Sequence, residues 1–134
     1  MFDFQQFSKN ITLIKNQNDF SLYLESCFIE IEDFFLNISN EDIQNIKFDI
    51  EDLLYDLLDN KLIQLKNSKI INAFLILLAE KFIQTSLIGS IMIISDYVDD
   101  TSTKIRLDVA KRYLKINDIS KDYFNRVDEI LVSL

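Results

Sequence analysis

The side chains of this chain that could take part in chemistry are almost all carboxylates. The 134 residues contain 22 Asp and Glu, a single cysteine, Cys27, and no histidine. Without histidine, neither a Ser-His-Asp nor a Cys-His nucleophile can form, nor can a His-containing zinc site. One cysteine makes no intrachain disulfide and no cysteine-based zinc site, and the single glycine, Gly89, makes no glycine-rich phosphate loop. We therefore expect no enzymatic activity, no cofactor and no metal.

Three aspartates that are near one another in sequence could in principle bind Mg²⁺. Asp96, Asp99 and Asp100 offer the oxygen ligands that Mg²⁺ prefers. Residues 99–102 read DDTS, however, which is a polar break of the kind that precedes a helix. We interpret these aspartates as solvated residues at helix ends.

The carboxylates are concentrated in one part of the chain. Residues 16–60 contain twelve acidic side chains and one basic side chain, Lys47, so this part has a net charge of −11. Because the whole chain has a net charge of −8, the remainder is net +3. This asymmetry distinguishes the sequence from an ordinary helical domain.

Five of the aspartates follow helical spacing. Asp42, Asp49, Asp52, Asp56 and Asp59 are seven, three, four and three residues apart, so on one helix they form a stripe turned away from its apolar face. Like charges at this spacing destabilise a helix by about 0.2–0.5 kcal/mol per pair. The stripe is either a solvated surface that maintains solubility or a docking surface that attracts a basic protein.

The docking interpretation adds two acidic residues from the preceding segment. We place them near the aspartate stripe because they belong to the same acidic region. The predicted partner-binding residues are then Glu30, Asp33, Asp42, Asp49, Asp52, Asp56 and Asp59.

Composition predicts an all-α fold that would position these side chains. The chain has no proline and one glycine, which helices tolerate, whereas sandwiches and barrels need many turn residues. A chain of 134 residues suits one domain with a substantial core. We predict a single helical domain, residues 1–134, built as a compact bundle or a short solenoid of about six helices.

Residues 70–98 are the most apolar part of the chain, with apolar side chains on every side of a helical wheel. Such a helix must be surrounded. The longest uncharged run, residues 82–95, has fourteen residues, whereas a membrane-spanning helix needs about 20. We interpret the stretch as a buried central pair of helices, about 69–84 and 85–97, the second capped by Thr85 or Ser86. One long helix kinked near Gly89 is the alternative.

Each remaining segment has one apolar stripe at spacings of three and four. The second helix is expected to begin after a cap at Asn18 or Asp19, and the third after Ser39 or Asn40. Cys27 lies within the inward stripe of the second helix, which indicates a buried and inert thiol. Besides the central pair, the predicted helices cover about residues 4–14, 20–38, 40–58, 103–115 and 118–134.

Several features bear on location and partners. The first residues have neither a basic nor an apolar segment of the kind found in signal peptides, and an unpaired thiol suits a reducing compartment, so we expect a cytoplasmic protein. Lys104, Lys111 and Lys115 share a helix face, but Asp108 lies among them. With the net negative charge, this argues against direct binding of nucleic acid.

In its size, its cytosolic character and its acidic region, residues 19–59, the chain resembles the small acidic all-helical immunity proteins of bacterial toxin systems. These include the partners of contact-dependent growth-inhibition toxins and of other interbacterial nuclease toxins. The abundance of Ile, Asn and Lys also suits an AT-rich bacterial or phage genome. The resemblance implies tight stoichiometric binding to one basic toxin domain. It rests on no motif and assigns no residue.

Three other classes remain open. A helical adaptor or regulator, phage-encoded and dimeric, would have a contiguous exposed apolar patch. A nucleic-acid mimic that inhibits a host enzyme would share the acidic stripe and differ in its target. An enzyme would need a deep pocket in which carboxylates converge.

Overall fold

A computed structural model describes residues 2–85, 87–98, 101 and 103–108. All regular secondary structure in these ranges is helical, which confirms the all-α class and the expected number of about six helices. Residues 101 and 103–108 are helical, and the predicted helices beyond residue 108 lie outside the described residues. The helices with defined bounds are α1 (Phe4–Thr12), α2 (Gln17–Asn37), α3 (Asn40–Asn45), α4 (Lys47–Asp59), α5 (Lys69–Thr85) and α6 (Ile88–Ser95).

Helix α5 occupies the centre of the bundle, as its all-round apolar character predicts. It packs against α2, α3 and α6, and no side chain among residues 70–83 is exposed. The centroid of the Phe74 ring lies 5.9 Å from the ring centroid of Phe7 in α1 and 6.1 Å from that of Phe20 in α2. Aromatic pairs at these distances stabilise a core beyond their buried area.

The second half of the central stretch forms its own helix, so the two-helix interpretation is confirmed. The chain leaves α5 after Thr85, where the N–H of Leu87 donates to the carbonyl of Phe82 at 3.1 Å, and α6 begins at Ile88. Thr85 is the last residue of α5 and its hydroxyl donates to the carbonyl of Lys81, so its predicted role as a cap of α6 is wrong. Ser86 lies outside the described residues.

Gly89 does not mark a kink. It lies inside α6, where a Cβ atom would collide with a carboxylate oxygen of Glu51 in α4 and lie 3.3 Å from its carboxyl carbon. The absence of a side chain therefore allows a close approach between α4 and α6. A carboxylate near the first turn of a helix also interacts favourably with the helix dipole, and α6 has no side-chain cap of its own.

The predicted third helix is two helices, and the continuous stripe from Asp42 to Asp59 is therefore interrupted. Ile46, at φ −109° and ψ 11°, separates α3 from α4, and its N–H turns back to the carbonyl of Ile43 at 3.2 Å. The break has a packing reason: α3 contacts α5, whereas α4 contacts α1 and α6. In one straight helix, the apolar side chains of residues 40–45 could not pack on α5 while those of residues 47–59 pack on α1 and α6.

The helix caps agree with the sequence in one case and differ in another. Ser39 caps α3 by accepting from the N–H of Asp42 at 3.1 Å, as predicted. Helix α2 begins earlier than predicted because Asn16, not Asn18 or Asp19, is its cap. The Asn16 side chain accepts from the N–H of Asp19 at 2.8 Å and donates to its carboxylate at 3.0 Å, so cap and first turn satisfy each other.

Two helix C-termini that have no basic residue in their last turns receive donors from neighbouring helices. The ammonium group of the buried Lys81 in α5 donates to the carbonyl of Ile38 at the end of α2, at 2.8 Å. The amide of Gln44 in α3 donates to the carbonyl of Thr85 at the end of α5, at 3.0 Å. These bonds satisfy carbonyl groups that a helix end leaves unpaired.

The connection between α4 and α5 is held by the side chain of Asn67. Its amide oxygen accepts from the N–H of Gln64 and from the side chain of Gln17, both at 2.9 Å. Its amide nitrogen donates to the carbonyl of Gln64 at 2.8 Å and to that of Tyr97 at 3.1 Å. One side chain thus joins the loop, the first turn of α2 and the segment after α6.

Among the described residues, no helix is both long enough and apolar enough to cross a membrane.

We predict that Asn67→Ala lowers the free energy of unfolding by about 1–3 kcal/mol, because several partly buried polar groups lose their partners together. Urea denaturation monitored by circular dichroism measures the loss. Asn18→Ala is the matched control, since Asn18 is an exposed asparagine in the first turn of α2. Equal effects of the two substitutions would contradict the structural role of Asn67.

Candidate acidic docking surface

Helix α4 presents four of the predicted aspartates to solvent. The helix buries Ile50, Leu53, Leu54 and Leu57 against the bundle. Since the aspartates alternate with this stripe at spacings of three and four, they lie on the outward side. Three of them are exposed and one is half-buried; they are Asp49, Asp52, Asp56 and Asp59.

Two aromatic side chains lie on the same outward side of α4. Phe48 is 69% exposed and Tyr55 is 53% exposed. Steps of four, three and four residues connect Phe48, Asp52, Tyr55 and Asp59, so these four side chains share one face directly opposite the buried stripe. We call them the α4 docking face. Asp49 and Asp56 border it on one edge.

The sequence analysis missed Phe48 and Tyr55 as surface residues. Their positions carry a signal, because both fall outside the buried stripe of α4 and are separated by seven residues, with Asp52 between them. A helical wheel of α4 would have shown that both residues lie on the polar side of an amphipathic helix and therefore face solvent. Lys47 is also placed on the Phe48 ring, with its ammonium nitrogen 5.1 Å from the ring centroid.

The remaining predicted residues lie elsewhere, and two of them meet at an open groove. Asp33 at the end of α2 and Asp42 in α3 line this groove together with Asp3, which precedes α1. Phe2 and Phe34 contribute to an apolar floor, with ring centroids 4.9 Å apart. The sequence analysis did not select Asp3, which is far from the acidic region in sequence.

Two of the three groove carboxylates are already engaged within the fold. Asp3 accepts from the N–H groups of Gln5 and Gln6 at the start of α1, and Asp33 accepts from the side chain of Asn37 at 2.9 Å. These bonds serve local structure, so the groove is less suited than α4 to receive several cations.

Helix α1 connects the groove with α4. The side-chain amide of Gln5, which lines the groove, donates to Asp49 at 3.1 Å. The acidic surface is therefore continuous from the groove to the first turn of α4 and not confined to one helix. Glu30 lies one turn before Asp33 in α2 and is exposed.

The carboxylates proposed for docking are not neutralised by the described part of the chain. In residues 2–85, 87–98, 101 and 103–108, no Lys or Arg nitrogen lies within 4.0 Å of a carboxylate oxygen of any of the seven. An ion pair does occur elsewhere, between Arg106 and Glu80 at 3.5 Å. Unpaired carboxylates on one surface produce the negative potential that attracts a basic molecule.

Cys27 has the environment of an unreactive thiol, although it is half-buried and not fully enclosed. Its thiol donates to the carbonyl of Tyr23 at 3.2 Å. Burial raises the pKa of Cys27; a hydrogen bond with Ser26 opposes the rise, and the negative charge of Glu30 adds to it. Burial likewise raises the pKa of Tyr23, against the hydrogen bond from Asn10.

Within the described ranges, no three Cys, Asp or Glu side chains are arranged to hold a metal ion. Comparison of the chain with family models, with curated proteins and with solved structures found no match. The acidic surface must therefore be interpreted from its own chemistry.

We predict slow alkylation of Cys27 by iodoacetamide at pH 8, because the reactive thiolate is depleted when the pKa is raised. The rate should continue to increase at pH values where an ordinary thiol has reached its plateau. The same shift implies that the contribution of this group to stability is complete below the ordinary thiol pKa and declines as the pH rises.

The matched control is the double variant S26C/C27S, which moves the thiol to an exposed neighbouring position. Mass spectrometry of both proteins across a pH series gives the two rate profiles. Coinciding profiles would show that the environment of Cys27 does not suppress its reactivity.

Proposed function

We propose that this chain is an immunity protein that binds a basic toxin domain, of the nuclease class, and neutralises it by stoichiometric binding. The observation that carries the proposal is the composition of the α4 docking face. Its carboxylates alone would suit a merely solvated surface, but two exposed aromatic rings do not serve solubility. Aromatic residues are enriched in protein–protein interfaces, where they act as anchors within a polar rim.

The spacing of charge on α4 supports a target that normally holds nucleic acid. Apart from Glu51, whose carboxylate lies against Gly89 of α6, four aspartates occur from Asp49 to Asp59, which at about 1.5 Å per residue is roughly one charge every 4–5 Å of helix axis. One strand of a nucleic-acid duplex carries one charge about every 3.4 Å. A surface of comparable density can occupy a basic cleft that accepts phosphates, while Phe48 and Tyr55 supply apolar contact area.

The charge pattern on α4 is unfavourable for the helix itself. Asp56 and Asp59 lie at the end where the helix dipole disfavours negative charge, and α4 has no basic residue in its last turn. These aspartates destabilise the helix that carries them. Their presence is explained if they are needed for binding to a partner. This reasoning supports docking over the solvated-surface interpretation.

The test begins with capture of the partner from the native host by the tagged chain and cloning of the captured toxin domain. Growth of cells that express this domain, with and without the chain, then measures protection, and calorimetry measures the Kd. We expect one-to-one binding and protection. If the chain binds the captured domain but gives no protection, the immunity function is wrong.

We predict that Phe48→Ser and Tyr55→Ser each raise the Kd for the toxin domain by roughly 30-fold, because interface anchors contribute about 2 kcal/mol or more. Leu65→Ser is the control, since Leu65 is also an exposed apolar residue and lies in the loop before α5. Circular dichroism verifies that each variant is folded. Unchanged affinity in both aromatic variants would remove α4 from the interface.

A separate prediction concerns Asp52→Asn, which removes the like-charge contacts of Asp52 with Asp49 and Asp56. We expect the free energy of unfolding to rise by about 0.2–0.5 kcal/mol per contact, while association with the toxin domain slows and depends less on salt. Urea denaturation and stopped-flow kinetics measure the two effects. Glu41→Gln in α3 is the control. If Asp52→Asn associates with the toxin domain as fast as the unmodified chain does, the aspartates of α4 form only a solvated surface.

The second candidate function is a helical adaptor or regulator, phage-encoded and able to dimerise. An adaptor needs an exposed apolar face for a partner, and apolar side chains on α2, which include Leu22 and Ile29, provide one. Recovery of the chain only with itself in the capture experiment would support this class over the immunity function.

A further inference from the structure

The outward face of α2 carries a regular apolar stripe that no described element covers. Leu22, Ile29 and Leu36 are 57%, 83% and 65% exposed. They are separated by seven residues each, so they lie nearly above one another along α2, opposite the buried Leu24 and Ile31. We call these three residues the α2 stripe.

The regularity of the α2 stripe is the feature that requires an explanation. Single apolar residues on a surface are ordinary, but three large aliphatic side chains in heptad register are the pattern by which one helix packs along another. The stripe extends over about 21 Å, which is roughly four turns. That length fits one partner helix lying alongside α2.

Acidic side chains border the α2 stripe on both sides. Glu25 and Glu32 follow Leu22 and Ile29 by three residues and lie along one edge, and Asp33 follows Ile29 by four residues and lies along the other. Residues 17–37 contain no Lys or Arg at all. The stripe is therefore an apolar seam between negative margins.

This charge pattern selects the occupant. A second copy of the chain packed through α2 would place acidic margins against acidic margins, and an anionic lipid surface would be repelled in the same way. A helix with a Leu-type seam and Lys or Arg on both sides satisfies the apolar stripe and its margins together. We propose that the α2 stripe is the docking site for a basic amphipathic helix of another protein.

The site is held in place before binding. Helix α2 packs along α5. The side chain of Asn16 caps its first turn, and Lys81 donates to the carbonyl of Ile38 at its C-terminal end. A fixed helix loses little conformational freedom when a partner binds. Helix α1 contacts both α2, through Phe4 and Phe34, and α4, through Gln5 and Asp49. The inference does not depend on the proposed immunity function.

The probe is a labelled synthetic 21-residue helix with leucine in heptad register and lysine on both sides of the seam. A second peptide has the same composition with the register scrambled, and a third has glutamate in place of lysine. Fluorescence anisotropy with the full chain should give one-to-one binding of the first peptide, at least ten-fold tighter than either of the others.

Two variants of α2 and two control variants locate the binding site. The triple variant L22N/I29N/L36N should weaken binding of the lysine peptide at least ten-fold, whereas L13N/L65N, which alters exposed leucines outside α2, should not. The charge reversal E25K/E32K keeps the apolar seam and should shift the preference toward the glutamate peptide. Asp52→Asn on α4 should leave peptide binding unchanged, which separates this site from the α4 docking face.

Equal binding of the lysine peptide and its scrambled form would overturn the proposal, because it would show attraction by charge alone. So would self-association in sedimentation, or binding to phosphatidylserine vesicles, that the triple variant abolishes. If the triple variant does not fold, the charge reversal decides: an unchanged peptide preference rejects the site.

Discussion

The fold depends on the need to enclose α5. A helix without any exposed side chain over residues 70–83 cannot be stable in water until other helices cover its whole circumference. Helices α2, α3 and α6 do this directly, and their buried side chains form a continuous core with those of α1 and α4. The same constraint explains the break at Ile46, since α3 and α4 must reach different neighbours.

Forming the core uses only one side of each outer helix, so the opposite sides face solvent. On α2 and α4 these outward sides have related compositions: apolar side chains, Ile29 or Tyr55 for example, between carboxylates. Neither combination helps the helix that carries it. Stability is set by the inner faces and by the bonds at the helix ends, so the composition of the outer faces is not fixed by folding.

The helical class, the inner stripes and the cap at Ser39 could be predicted from sequence because they depend on local spacing and local hydrogen bonds. The break at Ile46 could not, because it depends on which helices α3 and α4 contact. The groove that joins Asp3 to Asp33 and Asp42 brings together residues distant in sequence. Phe48 and Tyr55 were missed because the search for a docking surface followed the carboxylates alone, although both positions fall outside the buried stripe of α4.

The bonding of Asn67 has a consequence for the chemical ageing of the protein. Asparagine followed by serine, as here, is prone to lose ammonia spontaneously when the chain can bend toward its own side chain. The fixed amide resists that movement. The carbonyl groups of Gln64 and Tyr97 accept hydrogen bonds from the amide nitrogen of Asn67. After deamidation to aspartate, a negatively charged oxygen would face these carbonyl groups in place of that nitrogen. Deamidation at this residue would therefore break the bond to the segment after α6, while the bond from Gln17 in α2 would remain, and the fold would be destabilised slowly as the protein ages.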